Sequence, residues 1–523
     1  MQDFPLTIHH IFYRAERLFP EKTIVSLLPE GTHRYTYGDF AGRVRRLAAA
    51  LVSAGVKPGD RVATFAWNHY RHHELYYAVP CIGAVLHTLN IRLHAEQLAY
   101  IVEHAKDKMV FYDGALEEAL LPVSAKVDCV ERYVKMGVGG GAIEADGYED
   151  FLSADAIANW PTLAEDEAAG LCYTSGTTGN PKGVLYSHRS TVLHAFGVNS
   201  GSAHGLMESD TTLTIVPMFH AMAWGYPYAA TMAGCDQVHP GPNLDPASLL
   251  GAIQSEKVTI SAGVPTVWVG VLDELDRGSW DVSSVRSFVS GGAAMPRSLM
   301  EGFARHGVEM VQGWGMTETS PVCAHGHVKK SLEGNRFEVA AKTGLIIPGV
   351  ELRLVDDKGA EVSWDGESFG EIQVRGPWIA SAYYEDDVTD PLSEGWLRTG
   401  DVATMDANGY LLIVDRTKDL VKSGGEWISS VELEKHIMAH PAVLEAAVIG
   451  VPDELWSERP LACVVVRQGF ELDKKAVIGF LSDKVAKWWL PDDVVFIEEV
   501  PKTSVGKFDK KVLRERFGVT QAP

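Results

Sequence analysis

The sequence predicts an α/β fold: a large N-terminal domain of parallel, doubly wound sheets with a small β-subdomain, then a small α+β C-terminal domain. Three observations predict it. Short β-branched or apolar runs alternate with amphipathic stretches through about four-fifths of the chain. Turn-punctuated strands replace that alternation after Gly349, and roughly the last hundred residues read α-β-β-α.

The first pattern rests on runs at Arg61–Phe65, Met109–Tyr112, Thr211–Val216, Val258–Ser261, Val285–Val289 and Glu309–Val311. Ala- and Leu-rich segments such as Phe40–Ala54 and Ala95–His104 lie between them, as βαβ units require. Strands Glu351–Val355, Gly370–Val374 and Tyr410–Val414, separated by Asp-Gly and Asn-Gly turns, form the β-subdomain, about 349–414. In the last part, Ser429 and Glu432 form a capping box before a helix Leu433–His440. Strands Ala446–Val451 and Leu461–Val466 and a helix Lys474–Trp489 follow. The expected division is 1–414 and 415–523, with a hinge at Asp415.

At 523 residues the chain should hold about three or four structural units. Its net charge of -22 excludes a protein that gains affinity by neutralising nucleic-acid phosphates. Individual lysines therefore become informative. The six cysteines, Cys81, Cys129, Cys172, Cys235, Cys323 and Cys463, are scattered, which fits reduced thiols in the cytoplasm. The first residues lack a secretory pattern, and the apolar stretches Leu75–Leu86 and Val264–Leu272 are too short to span a bilayer.

Five segments carry chemistry. Tyr173-Thr-Ser-Gly-Thr-Thr-Gly-Asn-Pro-Lys-Gly-Val184 follows a strand. Thr174, Ser175, Gly176, Thr177, Thr178, Gly179 and Lys182 supply backbone N–H groups, hydroxyls and one cation for polyphosphate. A Walker A loop would end Gly-Lys-Ser/Thr and open a helix; here Pro181 precedes Lys182 and Gly183 follows it. The second segment is Gln312-Gly-Trp-Gly-Met-Thr-Glu-Thr-Ser320. Its glycines admit a planar ring, Trp314 could cover that ring, and Glu318 suits Mg²⁺. The others are Trp396-Leu-Arg-Thr-Gly-Asp401, Asp415-Arg-Thr-Lys-Asp-Leu-Val-Lys-Ser-Gly-Gly-Glu-Trp427 and Pro501-Lys-Thr-Ser-Val-Gly-Lys507. Taken singly, each of the last four reads equally well as a turn or a solvated surface.

Together their order and spacing resemble the acyl-adenylate-forming superfamily, which includes acyl-CoA synthetases, luciferases and peptide-synthetase adenylation domains. The resemblance covers nearly the whole chain. It is closest to bacterial medium- and long-chain fatty acyl-CoA synthetases, through Val216-Pro-Met-Phe-His-Ala-Met-Ala-Trp224, Ala262-Gly-Val-Pro-Thr-Val-Trp268 and Lys422-Ser-Gly-Gly-Glu-Trp-Ile-Ser429.

The resemblance implies a ligase that joins a fatty acid to coenzyme A with ATP and Mg²⁺, through an acyl-adenylate. It assigns Thr174 and Glu318 to the metal, and Gly292, Gln312, Gly313 and Thr317 to adenine and the α-phosphate. Asp401 would bind ribose, with Arg416, Lys418 and Lys422 contributing from the hinge side. Lys507 would bridge the carboxylate and the α-phosphate. His220, Ala221 and Trp224 would lie at the acyl site, Trp224 as a gate, and Gly424, Gly425 and Trp427 at the passage for CoA. The C-terminal domain would be a mobile lid, and a homodimer is compatible.

The rivals are the same chemistry on an aromatic, short branched or methylthio acid, a P-loop NTPase, and a non-catalytic nucleotide-binding protein. No Gly-x-Ser-x-Gly elbow or His-Glu-x-x-His helix offers an alternative chemistry. His325 and His327 read as solvated loop histidines.

Overall fold

The structure is a computed structural model. It describes the chain except for residues 153–154, 175–179, 387–390, 424–425, 454, 503–507 and 519–523. Packing divides it into two compact units, Met1–Glu351 with Val374–Leu397, and Leu352–Gln373 with Arg398–Pro523. The chain passes between these units three times, after Glu351, Gln373 and Leu397.

In the first unit, seven described strands form one sheet in the order Asp146–Gly147, Arg132–Met136, Asp107–Asp113, Arg61–Phe65, Val85–Thr88, Ala168–Tyr173 and Gly183–Ser187. All neighbours are parallel except the last pair. A nine-stranded sheet runs from Leu345–Ile346 through Val322–His325, Glu309–Gly315, Ser287–Gly291, Ile260–Gly263, Thr211–Thr214, Asp236–His239 and Thr23–Leu28 to Gly31–Thr36. Its interior pairs are parallel and its two edges antiparallel. The α/β class is as expected; the antiparallel edges are not in the βαβ reading.

Local sequence explains the elements. Thr36 and Asp39 make a reciprocal capping box that starts helix Tyr37–Ser53. Asp245 caps helix Pro246–Glu256, with proline at its first turn. Trp268, wholly buried, stacks on Phe288 with centroids 4.4 Å apart and donates from Nε1 to the Val289 carbonyl at 3.1 Å. That contact pins strand Ser287–Gly291 within the core of the larger sheet.

In the second unit, Val421–Ser423, Glu426–Ile428, Val443–Asp453, Ser457–Val466 and Asp493–Phe496 form a mixed sheet beside helix Ser430–Met438. Ser429 caps that helix, accepting from the Glu432 N–H at 3.1 Å. The expected helix Lys474–Trp489 stops at Leu481 and resumes only as a short turn, Lys487–Trp489. Its last turn is weak: Gly479 has low helix propensity, and the Ser482 hydroxyl donates back to the Gly479 carbonyl at 2.7 Å. Among the described residues no helix is long and apolar enough to cross a membrane.

Helix Tyr70–Cys81 is buried along almost its whole length and carries His72, His73 and Glu74 inside. Burial pushes His72 down to about 3 and His73 to about 4, and His194 on another helix to about 3. His194 is neutral for a visible reason, since its Nε2 accepts the Val322 N–H at 3.1 Å. Each such group has a folded pKa below its unfolded value near 6.5. Its stabilisation is complete above pH 6.5 and is lost as pH falls toward the folded value, at about 1.4 kcal/mol per pH unit. Burial raises Glu74 and Asp107, which act in the opposite direction. The histidines titrate first on acidification, so the melting temperature should fall clearly between pH 7 and pH 5. A flat profile in calorimetry would show that these histidines are not buried neutral.

Candidate active site

The loop that opens with Thr174 is closed at its root by an antiparallel pair, Ala168–Tyr173 with Gly183–Ser187. The Thr174 N–H donates to the Lys182 carbonyl at 2.8 Å, and the Lys182 N–H to Thr174 Oγ1 at 3.4 Å. A hairpin root, rather than a strand-to-helix turn, excludes a Walker A loop on geometry. Ser175, Gly176, Thr177, Thr178 and Gly179 lie outside the described residues.

Strands Ser287–Gly291 and Glu309–Gly315 run parallel, with Ser290 opposite Gln312 and Gly291 opposite Gly313. Gly292 and Gly313 therefore sit at the carboxyl ends of neighbouring parallel strands, where open α/β sheets bind ligands. The backbone there is close-packed: a Cβ on Gly315 would overlap the Pro321 carbonyl oxygen. Gln312 Oε1 and Ser290 Oγ are buried without a protein partner among the described residues. An acceptor at Gln312 suits the amino group of a purine. Trp314 is 8% exposed, on the strand face of Gln312, so its ring offers little open surface.

Thr317 and Glu318 follow in a short turn, both buried. Tyr186 donates to the Thr317 carbonyl at 2.7 Å, and the Ala380 N–H to the Glu318 carbonyl at 2.8 Å. The Tyr383 hydroxyl donates to Glu318 Oε1 at 2.9 Å. Lys182 Nζ stands 4.8 Å from the Tyr383 ring centroid and 3.6 Å from Asp386. Tyr383 thus stands between Lys182 and the Glu318 carboxylate. No motif marked Tyr383, Asp386 or Tyr186; a lone aromatic between motifs carries no sequence signal.

The acyl segment has an unusual backbone. Ala221, Met222, Ala223 and Trp224 have φ of 39°, 47°, 53° and 54°, and Gly225 follows at 82°. Four successive left-handed non-glycine residues cost roughly 1–2 kcal/mol each, so the surroundings must impose them. The His194 ring packs so closely on the end of the turn that a Cβ on Gly225 would lie 2.6 Å from it, and before the turn Asn68 Nδ2 donates to the Thr214 and Val216 carbonyls at 2.7 and 2.8 Å. The half-buried Trp224 ring lies against Gly291 and packs on Val216, Tyr226, Ala262, Val289 and Val311. His220 is half-buried and precedes this turn.

The second unit carries the remaining candidates. Asp401 is buried and opposite Arg416 in an antiparallel ladder, with Arg416 Nε 3.1 Å from its carboxylate. Burial lowers the pKa of the half-buried Lys418. Lys422 is exposed on strand Val421–Ser423, and Trp427 lies in strand Glu426–Ile428. Gly424, Gly425 and Lys507 lie outside the described residues. His325, expected in a solvated loop, is instead a buried strand residue whose neutral ring is held near 4 by burial; His327 is exposed.

A family model for the AMP-binding enzyme matches residues 12–384, and one for the AMP-binding enzyme C-terminal domain matches 432–507. The chain belongs to the AMP-binding enzyme family. It is 46% identical to a long-chain-fatty-acid–CoA ligase of Thermus thermophilus, over 99% of this chain and 96% of that one. It is 44% identical to a 3-methylmercaptopropionyl-CoA ligase of Ruegeria pomeroyi, over 98% and 97%. A medium-chain-fatty-acid–CoA ligase of Ectopseudomonas oleovorans is 43% identical, over 98% and 96%. Among solved structures, an anthranilate CoA ligase in complex with anthranoyl-AMP superposes with a TM-score of 0.87 at 26% identity, over 99% of both chains.

The donors in the first unit fit a magnesium ion that arrives with a nucleotide. Glu318 offers a carboxylate and Thr174 a hydroxyl, and no group of three or more His, Cys, Asp or Glu among the described residues could hold a metal alone.

Proposed function

We propose that this AMP-forming acid:CoA ligase takes a medium- to long-chain fatty acid. The observation that carries the substrate is the apolar surround of Trp224, formed by Val216, Tyr226, Ala262, Val289 and Val311 beside the strand ends. The fatty acid–CoA ligases among the relatives support the same choice.

The chemistry must overcome repulsion between a carboxylate and a triphosphate. Lys507 and the Thr174–Lys182 loop place donors and cations on the phosphates, and Gln312 with the glycine-lined strand ends orients the base. Glu318 and Thr174 would hold Mg²⁺, which supplies charge neutralisation at the phosphate oxygens. Asp401 accepts from the ribose hydroxyls. The carboxylate attacks the α-phosphorus, pyrophosphate leaves, and the CoA thiol then displaces AMP from the mixed anhydride. Lys507 and the Gly424-Gly425 segment lie more than eighty residues apart, so the lid would present them in turn by rotating about Asp415. The six unpaired cysteines support a reducing, cytoplasmic setting. Nothing in the reaction requires a second copy.

The test is CoA-dependent AMP and pyrophosphate release with butyrate, decanoate, palmitate and 3-methylmercaptopropionate. Preference for the last, the acid named by the Ruegeria relative, would replace the fatty-acid reading with the same chemistry on a small thioether acid. Release of ADP and phosphate would remove ligation altogether.

Trp224 gives a narrower test. If its ring shuts the acyl site until nucleotide binds, Trp224→Ala should abolish the dependence of fatty-acid binding on ATP and shift chain-length preference. A variant that only melts earlier would make Trp224 a packing residue.

A further inference from the structure

The second unit buries an ammonium between two carboxylates. Lys510 is 8% exposed; its Nζ lies 2.6 Å from Glu434 Oε1 and donates to Ser430 Oγ at 2.6 Å. The Ser430 hydroxyl and N–H both donate to Asp415 Oδ2 at 2.5 Å. Glu434 Oε1 also accepts the Val448 N–H at 2.7 Å, and Asp415 Oδ1 the Arg416 N–H at 2.7 Å. One cluster therefore ties Asp415, the start of helix Ser430–Met438 and the start of helix Lys510–Phe517.

Helix stability does not account for Lys510. It is the first residue of its helix, where the macrodipole disfavours a cation. Burial would also lower its pKa, and Glu434 and Asp415 more than reverse this. The position in the chain is informative: Lys510 stands three residues after Lys507. The flanks of that segment are closed by pairing of Lys502 with Phe508 and by the Asp509 N–H donating to the Pro501 carbonyl at 2.7 Å. Lys510 is the next residue, and its side chain fastens this root to the interior.

We propose that Lys510 is a positioning residue, which through Glu434 and Ser430 fixes the root of the Lys507-bearing segment to the helix that begins beside Asp415. The root of the Lys507-bearing segment and Asp415 are then joined through one cluster. This rests on the role of Lys507 given above.

The full-length protein is assayed as Lys510→Met, Glu434→Gln and the double variant Lys510→Met/Glu434→Leu. Pyrophosphate exchange reads adenylation, and supplied acyl-adenylate reads thioester formation. Lys510→Met should lower adenylation by about 10²-fold, the scale of an ångström of misplacement, with thioester formation little changed. Glu434→Gln keeps the shape and should show a smaller loss of the same selectivity. The double variant removes the Lys510–Glu434 pair together, so that no unpaired Glu434 is left as in Lys510→Met, and should recover part of the melting temperature, while adenylation stays low. Recovery of adenylation together with melting temperature, or equal loss in both half-reactions, would make the cluster a stabilising element only and overturn the proposal. So would wild-type adenylation in Lys510→Met or in Glu434→Gln. Lys507→Ala run alongside separates the two levels: if it spares adenylation, the role of Lys507 fails; if it does not and Lys510→Met does, only the positioning role fails.

Discussion

Lys507→Ala should slow formation of the acyl-adenylate by about 10²–10³-fold, the usual scale for losing one transition-state donor. Two anions must meet in that step, and negative charge builds on the oxygens of the α-phosphorus. A lysine at this point works only if its charge is present and correctly placed. The second step has less need of it, because the thiol attacks a neutral acyl carbon and no carboxylate has to approach a polyphosphate, although the leaving AMP gains one charge as the acyl C–O bond breaks. Attack of CoA on supplied acyl-adenylate should therefore continue at nearly the wild-type rate. Acetylation of Lys507 removes the same charge and should silence the first step in the same way. Lys502 is the internal control. It lies in the same motif, but its Nζ is 2.6 Å from Glu445 in an exposed pair, so Lys502→Ala should change little. Equal loss in both half-reactions of Lys507→Ala would show that the lysine only holds the lid together.

What the sequence made legible was local. The Ser429 cap and the alternation of strands with helices depend on neighbours a few residues away. Gly292 is reached only through the family resemblance, and Gly313 through its place in the Gln312–Ser320 segment. What was hidden depends on distant partners. The left-handed turn Ala221–Gly225 packs against His194, and Ala-Met-Ala-Trp has no intrinsic preference for it. Helix Tyr70–Cys81 looks half polar, yet His72 and His73 are buried because Thr64 and Thr231 meet their rings. The pairing of strand Trp396–Met405 with Leu411–Arg416 was hidden for a similar reason, since a register is not written in either strand alone.

Glu318→Gln should cost adenylation nearly as much as Lys507→Ala while leaving the fold intact. The carboxylate is buried, and its backbone is fixed by Ala380 while the neighbouring Thr317 carbonyl is held by Tyr186. An amide of the same shape can still accept from the Tyr383 hydroxyl, so this contact and the packing survive. What disappears is one negative charge beside the Thr174–Lys182 loop. If that charge exists to receive magnesium with the nucleotide, calorimetric binding of ATP should strengthen with Mg²⁺ in the wild type. In Glu318→Gln this dependence should be lost or sharply reduced, with melting temperature almost unchanged. Tyr383→Phe isolates the other half of the arrangement. It removes one hydrogen bond to a charged acceptor, worth about 1.5–3 kcal/mol, but leaves the charge. Its loss in adenylation should therefore be intermediate, about 10–10²-fold, with the Mg²⁺ dependence retained. The order wild type, Tyr383→Phe, Glu318→Gln is the test. If Glu318→Gln keeps both its adenylation rate and the wild-type response of ATP binding to Mg²⁺, the buried carboxylate is a frame for Tyr383 and the metal is held elsewhere.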